Sequence, residues 1–255
     1  MSTDGGAAGS VPPPTEDALA TAVAGGSAAA AVPAASVAAG RPMQAAGLVA
    51  VEPAWWDQGV EHLCRVDPIM QAIVARLPVE RMTLRSDPFI ALSRAIVGQQ
   101  LSVKAAATIW RRLDKAAREI TPQRLSRMRM STLTSVGLSQ RKAEYLRDLA
   151  VHFLKGEIRP DRWPLLGDEA VIEELVAVRG IGRWTAEMFL IFNLMRPDVL
   201  PLDDVGVITA IGRHYNGGVR VSREQAAKIG ARWQPWRSVA SWYLWRSLDP
   251  LPLET

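Results

Sequence analysis

From Pro53 to Asp249 the chain is divided by helix starts and stops, and no stretch alternates apolar and polar residues with a period of two. That pattern excludes half-buried strands and points to an all-α fold of roughly ten helices. The starts have a chemical basis. Asp67-Pro68, Ser86-Asp87-Pro88, Ser102, Thr121-Pro122, Ser139 and Asp168 each place a side-chain acceptor ahead of a helical run. There it satisfies backbone N–H groups that have no partner inside the helix. Pro53 and Pro235 are expected to open the first and last helices, Ser222 and Gln225 to form a capping box, and Gly137 to close a short turn. Tyr145, Leu149 and Phe153 recur every four residues and mark one apolar face. Asp249-Pro250 is the expected stop of the last helix.

Ahead of these helices the composition changes. Residues 1–50 are mostly Ala, Gly, Pro, Ser and Val, with almost no charge and no aromatic side chain, and are read as a disordered tail before a folded domain over 51–255. No basic stretch precedes the apolar part of the tail and its first arginine is Arg41, so neither a secretory signal nor a transit peptide is expected. No apolar run of about 18 residues predicts a membrane span. Cys64 is the one cysteine and His62, His152 and His214 are the three histidines, which excludes a disulfide framework and a cysteine-held zinc or iron–sulfur site. Asp4, Glu16 and Asp17 against Arg41 leave the tail acidic, while 29 Lys+Arg against 23 Asp+Glu leave the rest basic. A basic excess of that size suits a polyanionic partner without identifying one.

The stretch most informative about function is Leu175–Ala186, LVAVRGIGRWTA. A helix, a tight Gly-x-Gly turn and a second helix make a helix–hairpin–helix. Gly180 and Gly182 are read as permitting positive φ and letting a phosphate approach bare backbone. The free N–H groups and dipole of the following helix face that phosphate, and Arg183 and Thr185 add side-chain donors. A Gly-x-Gly turn alone also serves helix packing, but the flanking pattern favours the backbone of DNA. Lys142 is read as a structural lysine or a further phosphate contact. Twenty residues past Trp184 stand Asp203 and Asp204, ahead of an apolar helix. One reading is an N-cap, worth about 1 kcal/mol. The other is a carboxylate that stabilises positive charge on a deoxyribose as its base leaves. Spacing leaves both open. Among the nine tryptophans, Trp233 with Trp236 and Trp242 with Trp245 are three apart, as on one buried helix face.

Five segments, AIVGQQLSVKAA, GLSQRKAEYLRDLA, VRGIGRWTAEMF, LPLDDVGV and RWQPWRSVASWYLW, lie in this order between about Phe89 and Trp245. In them the chain resembles the helix–hairpin–helix (HhH-GPD) DNA glycosylase superfamily, and within it the DNA-3-methyladenine glycosylase II family. The resemblance implies two helical subdomains with a damaged base flipped into the cleft between them. Asp204 matches the catalytic carboxylate, and Gly180, Gly182, Arg183 and Thr185 match the phosphate-gripping hairpin. Backbone carbonyls of Val176, Val178 and Ile181 match a site for a monovalent cation. Gln100 matches the wedge that enters the duplex, with Leu101 beside it as the substitute.

Trp184 and Trp245 match pocket aromatics that would stack on a cationic alkylated base, and Trp242 is assigned to the core. Met188 stands where the family has a tyrosine, and Val205 follows Asp204 in place of an aromatic. Relatives that also cut the DNA backbone carry a lysine at the position of Trp184, so hydrolysis without strand cleavage is implied. The resemblance therefore implies a monofunctional glycosylase that excises 3-methyladenine and 7-methylguanine type bases in base excision repair. It needs no organic or redox cofactor. Its partner is damaged double-stranded DNA, reached as a monomer in a bacterial nucleoid or a eukaryotic nucleus. Two other readings stand beside it: the same fold acting on oxidised or mismatched bases, and a non-catalytic DNA-binding module in which Asp204 merely caps its helix.

Overall fold

Short polar side chains start the helices largely where the sequence puts them. The computed structural model describes residues 52–77, 81–82 and 87–248. The tail read at 1–50, the Ser86 start and the Asp249-Pro250 stop lie outside these. Among the described residues there are twelve α-helices and no strand. They are α1 (Trp56–Val66), α2 (Pro68–Arg76), α3 (Pro88–Gly98), α4 (Val103–Ala117), α5 (Pro122–Arg127) and α6 (Met130–Ser135). Then follow α7 (Gln140–Leu154), α8 (Asp168–Val176), α9 (Arg183–Phe192), α10 (Val205–Tyr215), α11 (Arg223–Gly230) and α12 (Arg237–Arg246). Two 3-10 turns, Trp163–Leu165 and Ala231–Trp233, complete the set.

Asp67, Asp87, Ser102, Thr121 and Ser139 each accept a backbone N–H from the first turn of their helix, and Ser222 with Gln225 forms the full capping box. Helix α6, only six residues long and without a side-chain cap, is one the sequence pattern did not announce. Three expected starts also shift. Gly167, not Asp168, caps α8, and the Asp168 carboxylate turns instead to Arg196 at 3.4 Å. Helix α1 begins at Trp56, whose N–H rests on the Pro53 carbonyl at 3.0 Å. Helix α12 begins at Arg237 rather than at Pro235. Trp233 therefore sits in a 3-10 turn and Trp236 at the edge of a helix. Their spacing of three spans a turn and does not mark a shared helix face.

Helices α5 and α6 pack along α7, which lies on α3, and α3 packs on α4. Helices α1 and α2 pair and pack against α12, which runs beside α10. Helix α9 lies on α8 and touches α3. Trp242 is half-buried and sets its ring edge-on to Trp56 and Phe192, as expected for packing. One buried polar group ties distant elements together. Asp67, 1% exposed, accepts the Ile69 and Met70 N–H groups on Oδ1 and the Tyr215 hydroxyl and Trp233 Nε1 on Oδ2, the last two both at 2.9 Å. Among the described residues no helix is long and apolar enough to cross a membrane.

Candidate functional site

The segment that carries Asp204 is pinned before the site is formed. Asp198 holds the Arg237 guanidinium through Nε at 2.6 Å and Nη2 at 2.9 Å. The Ser238 hydroxyl donates to the Arg196 carbonyl and accepts the Val199 N–H. These contacts fix the start of α12 to the loop ahead of α10, and so set Trp245 relative to Asp204. Asp204 is the N-cap of α10 and is 4% exposed. Its Oδ1 accepts the Val207 N–H and the Trp245 indole N–H, each at 2.8 Å, and its Oδ2 accepts the Trp184 indole N–H at 2.7 Å. The carboxylate is thus a cap and also the meeting point of both expected pocket tryptophans. Asp203, in contrast, is exposed and ion-paired with Arg223.

Where α9 meets α3 and α4 lies a pocket of about 470 Å³, which Asp204 itself does not line. That is within the range of small-molecule sites. Trp184 forms part of its wall, together with Thr185, Met188, Phe192 and Leu101. Of the four expected pocket residues, Trp184 and Met188 line it and Trp245 and Val205 do not. Trp245 is buried against Phe192, with ring centroids 5.5 Å apart, so one of its faces is already covered. Val205 is 50% exposed at the first position of α10. The opposite wall holds two residues the sequence did not single out, Arg94 and Trp110, with the guanidinium carbon 4.5 Å from the indole centroid. Burial pushes the Arg94 guanidinium below its ordinary pKa, against the pull of Asp114.

The hairpin divides the two glycines by role. Gly180 has φ +88°, and a Cβ there would stand 2.2 Å from Cδ2 of Tyr145. Only glycine fits, for conformation and for space. Gly182, the N-cap of α9, has φ −92°, and a Cβ there would meet nothing within 4 Å. Positive φ was expected at both and occurs at Gly180 alone, because the turn reverses at that residue and Gly182 has already entered the extended N-cap geometry.

Arg183 does not stand free as a phosphate donor. Its Nη1 and Nη2 hold Glu169 at 2.9 and 2.5 Å and its Nε holds Glu187 at 2.9 Å. Glu169 raises the Arg183 pKa further above its ordinary value, and burial pushes the Glu187 carboxyl up. Glu187 is 4% exposed and its Oε2 has no hydrogen-bond partner. The sequence signal for this pair was its i,i+4 spacing on α9. Lys142 is likewise committed inside the protein: its Nζ donates to the Val97 carbonyl at 2.9 Å and the Gln99 carbonyl at 2.5 Å, at the C-terminus of α3. Burial pushes its ammonium pKa down. Lys142 is therefore a structural lysine here and not an open phosphate contact.

Gln100 is exposed, in the turn between α3 and α4, with φ +58°. Leu101 beside it is half-buried and reaches the pocket. Of the three carbonyls matched to a cation, that of Val178 accepts the Ile181 N–H at 3.1 Å. Among the described residues no cluster of three or more His, Cys, Asp or Glu could hold a metal ion.

Comparison with known proteins places the fold in a family. Residues 93–235 match the model of the HhH-GPD superfamily base excision DNA repair proteins. DNA-3-methyladenine glycosylase 1 of Schizosaccharomyces pombe is 31% identical over 179 residues, which cover 69% of this chain and 78% of that protein. The solved structure of the Schizosaccharomyces pombe 3-methyladenine DNA glycosylase in complex with abasic DNA superposes with a TM-score of 0.63 at 30% identity, covering 74% of this chain and 95% of the other. A DNA-3-methyladenine glycosidase from Bacillus halodurans gives a TM-score of 0.66 at 31% identity, covering 78% and 91%. By the extent of the family match and by these relatives, the chain belongs to the HhH-GPD superfamily of base excision DNA repair proteins.

Proposed function

We propose that this chain is a monofunctional DNA glycosylase that hydrolyses the N-glycosidic bond of alkylated bases of the 3-methyladenine and 7-methylguanine type in damaged duplex DNA. The observation that carries this reading is Asp204. A buried carboxylate receives indole N–H bonds from two tryptophans, and one of these, Trp184, is also the wall of a largely apolar pocket. In this reading the damaged nucleotide leaves the stack, with Gln100 filling the space it vacates, and the base enters the cleft between two helical subdomains. As the C1′–N bond lengthens, the sugar gains oxocarbenium character, which a fixed carboxylate stabilises. A water molecule then attacks C1′ and gives up a proton, and the products are the free base and an abasic site. Position 184 holds an indole, which has no amine to attack C1′, so the backbone stays intact.

The hairpin supplies the grip on DNA. Open space over Gly182 admits a phosphate to the N–H groups that begin α9. The carbonyls of Val176, Val178 and Ile181 would hold a monovalent cation, whose charge would offset that of the phosphate. Glycine substitutions separate grip from fold. Gly182→Ala is expected to change stability by less than about 0.5 kcal/mol while weakening DNA binding roughly tenfold by blocking the approach to backbone donors. Gly180→Ala is expected to destabilise the hairpin itself through its clash with Tyr145. Melting curves and fluorescence anisotropy on one duplex distinguish the two, and a Gly182→Ala protein that binds like wild type would remove the phosphate from that position.

A second reading has one observation in its favour. Arg94 puts a fixed positive charge in the pocket and covers one face of Trp110, which disfavours a cationic base and suits a neutral one. Chromatography of bases freed from dimethyl-sulfate-treated duplex DNA, beside a duplex containing hypoxanthine, tests both. Release of 3-methyladenine or 7-methylguanine without strand cleavage is the expected result. Release of hypoxanthine alone transfers the chain to the second reading.

A further inference from the structure

Adjacent glutamines in the turn after α3 have opposite fates. Gln100 points to solvent, while Gln99 turns inward and spans 81 residues of sequence to donate from Nε2 to the Gly180 carbonyl at 2.7 Å. That carbonyl belongs to the left-handed residue of the hairpin, and the ring of Tyr145 fills the space beneath the same Gly180. Tyr145 lies on α7, one turn after Lys142, whose ammonium holds the Gln99 carbonyl. Gln99 is thereby held at both ends: its backbone by Lys142, its side chain by the hairpin. The three contacts close a loop through α3, α7 and the α8–α9 turn.

From this we infer that Gln99 is a positioning residue, which sets the Gln100 turn at a fixed distance and angle from the phosphate-gripping hairpin. The inference rests on the glycosylase reading, in which both elements contact DNA. Gln99 itself touches neither base nor sugar. With the link in place, a hairpin seated on a phosphate presents Gln100 at one register along the duplex. Without it, the hairpin still grips, but the wedge is no longer aimed and the energy of seating one element is not available to the other.

The test measures selectivity for a gap in the stack, independently of chemistry. Binding of the full chain is compared on an intact duplex and on a duplex carrying one tetrahydrofuran abasic analogue. Gln99→Met is expected to bind the intact duplex as wild type does, and to lose about tenfold in its preference for the abasic duplex. Gln99→Asn keeps the amide but falls one methylene short of the Gly180 carbonyl, and is expected to lose preference in the same way if Gln99→Met does not fold. Gln100→Ala is expected to show a similar loss, and the double variant no further loss, because both changes remove one device. Equal weakening on both duplexes, an abasic preference that survives the Gln99 variants, or losses that multiply in the double variant would each overturn the inference. Absence of base release by a wild-type protein whose abasic preference depends on Gln99 would overturn the enzyme reading and leave this one standing.

Discussion

Asp204→Asn is expected to lower the single-turnover rate of base release by about a hundredfold to a thousandfold, the range for loss of one preorganised electrostatic partner of a charged transition state. The substitution also has a cost before any DNA binds. Oδ1 serves Val207 and Trp245, so an amide oxygen is drawn to that side, and the amide NH₂ is left facing the Trp184 indole N–H across 2.7 Å. Two donors then oppose each other in a buried place, at about 1–3 kcal/mol. A fall in melting temperature of several degrees is therefore expected alongside the loss of rate. Release rates measured under enzyme excess at a temperature where both proteins are folded separate the two effects. A variant that still releases base within about tenfold of wild type would confine Asp204 to capping α10.

Asp67→Ala is expected to give the largest loss of stability among single substitutions at polar positions, about 3–5 kcal/mol, because it leaves donors from two helices and a turn without an acceptor. For a domain of this size that corresponds to a fall of about 10 °C in melting temperature. Tyr215 is the most telling of those donors. Burial, with Asp67 beside it, already holds its hydroxyl well above the ordinary phenol pKa, so it cannot ionise to relieve the loss. Calorimetry of the two proteins gives the difference directly. A melting temperature unchanged within about 2 °C would mean that water replaces the carboxylate and that the site is less closed than the packing implies.

The two aspartates also show how far sequence reasoning reaches. Each was legible as a helix cap, and each is one. Their remaining donors come from 20 to 166 residues away, and no periodicity connects Asp67 with Trp233 or Asp204 with Trp245. The all-α fold was readable because capping and period act over one or two turns, and α6 escaped because it is too short to show a period and has no capping side chain. The motif reads Arg183 as a DNA donor and says nothing of its pairing with Glu169, fourteen residues earlier. Glu187 could have been noticed from its spacing. Gln99 and Gln100 are chemically identical neighbours, and only the backbone, left-handed at Gln100, tells which of them faces the hairpin and which faces solvent.

The bond between Trp184 and Asp204 also limits how this protein could acquire a new chemistry. The family resemblance puts an amine at position 184 in relatives that cut the strand. Introducing Trp184→Lys here would not simply add a nucleophile. It would delete a pocket wall and an indole donor together, and place an ammonium within reach of the carboxylate that the indole had served. An anion so close favours the protonated amine, which must give up its proton before it can attack C1′. A lineage starting from this arrangement would gain the amine only by giving up a pocket wall and a donor to Asp204 in the same step, so strand scission would come at the expense of base release.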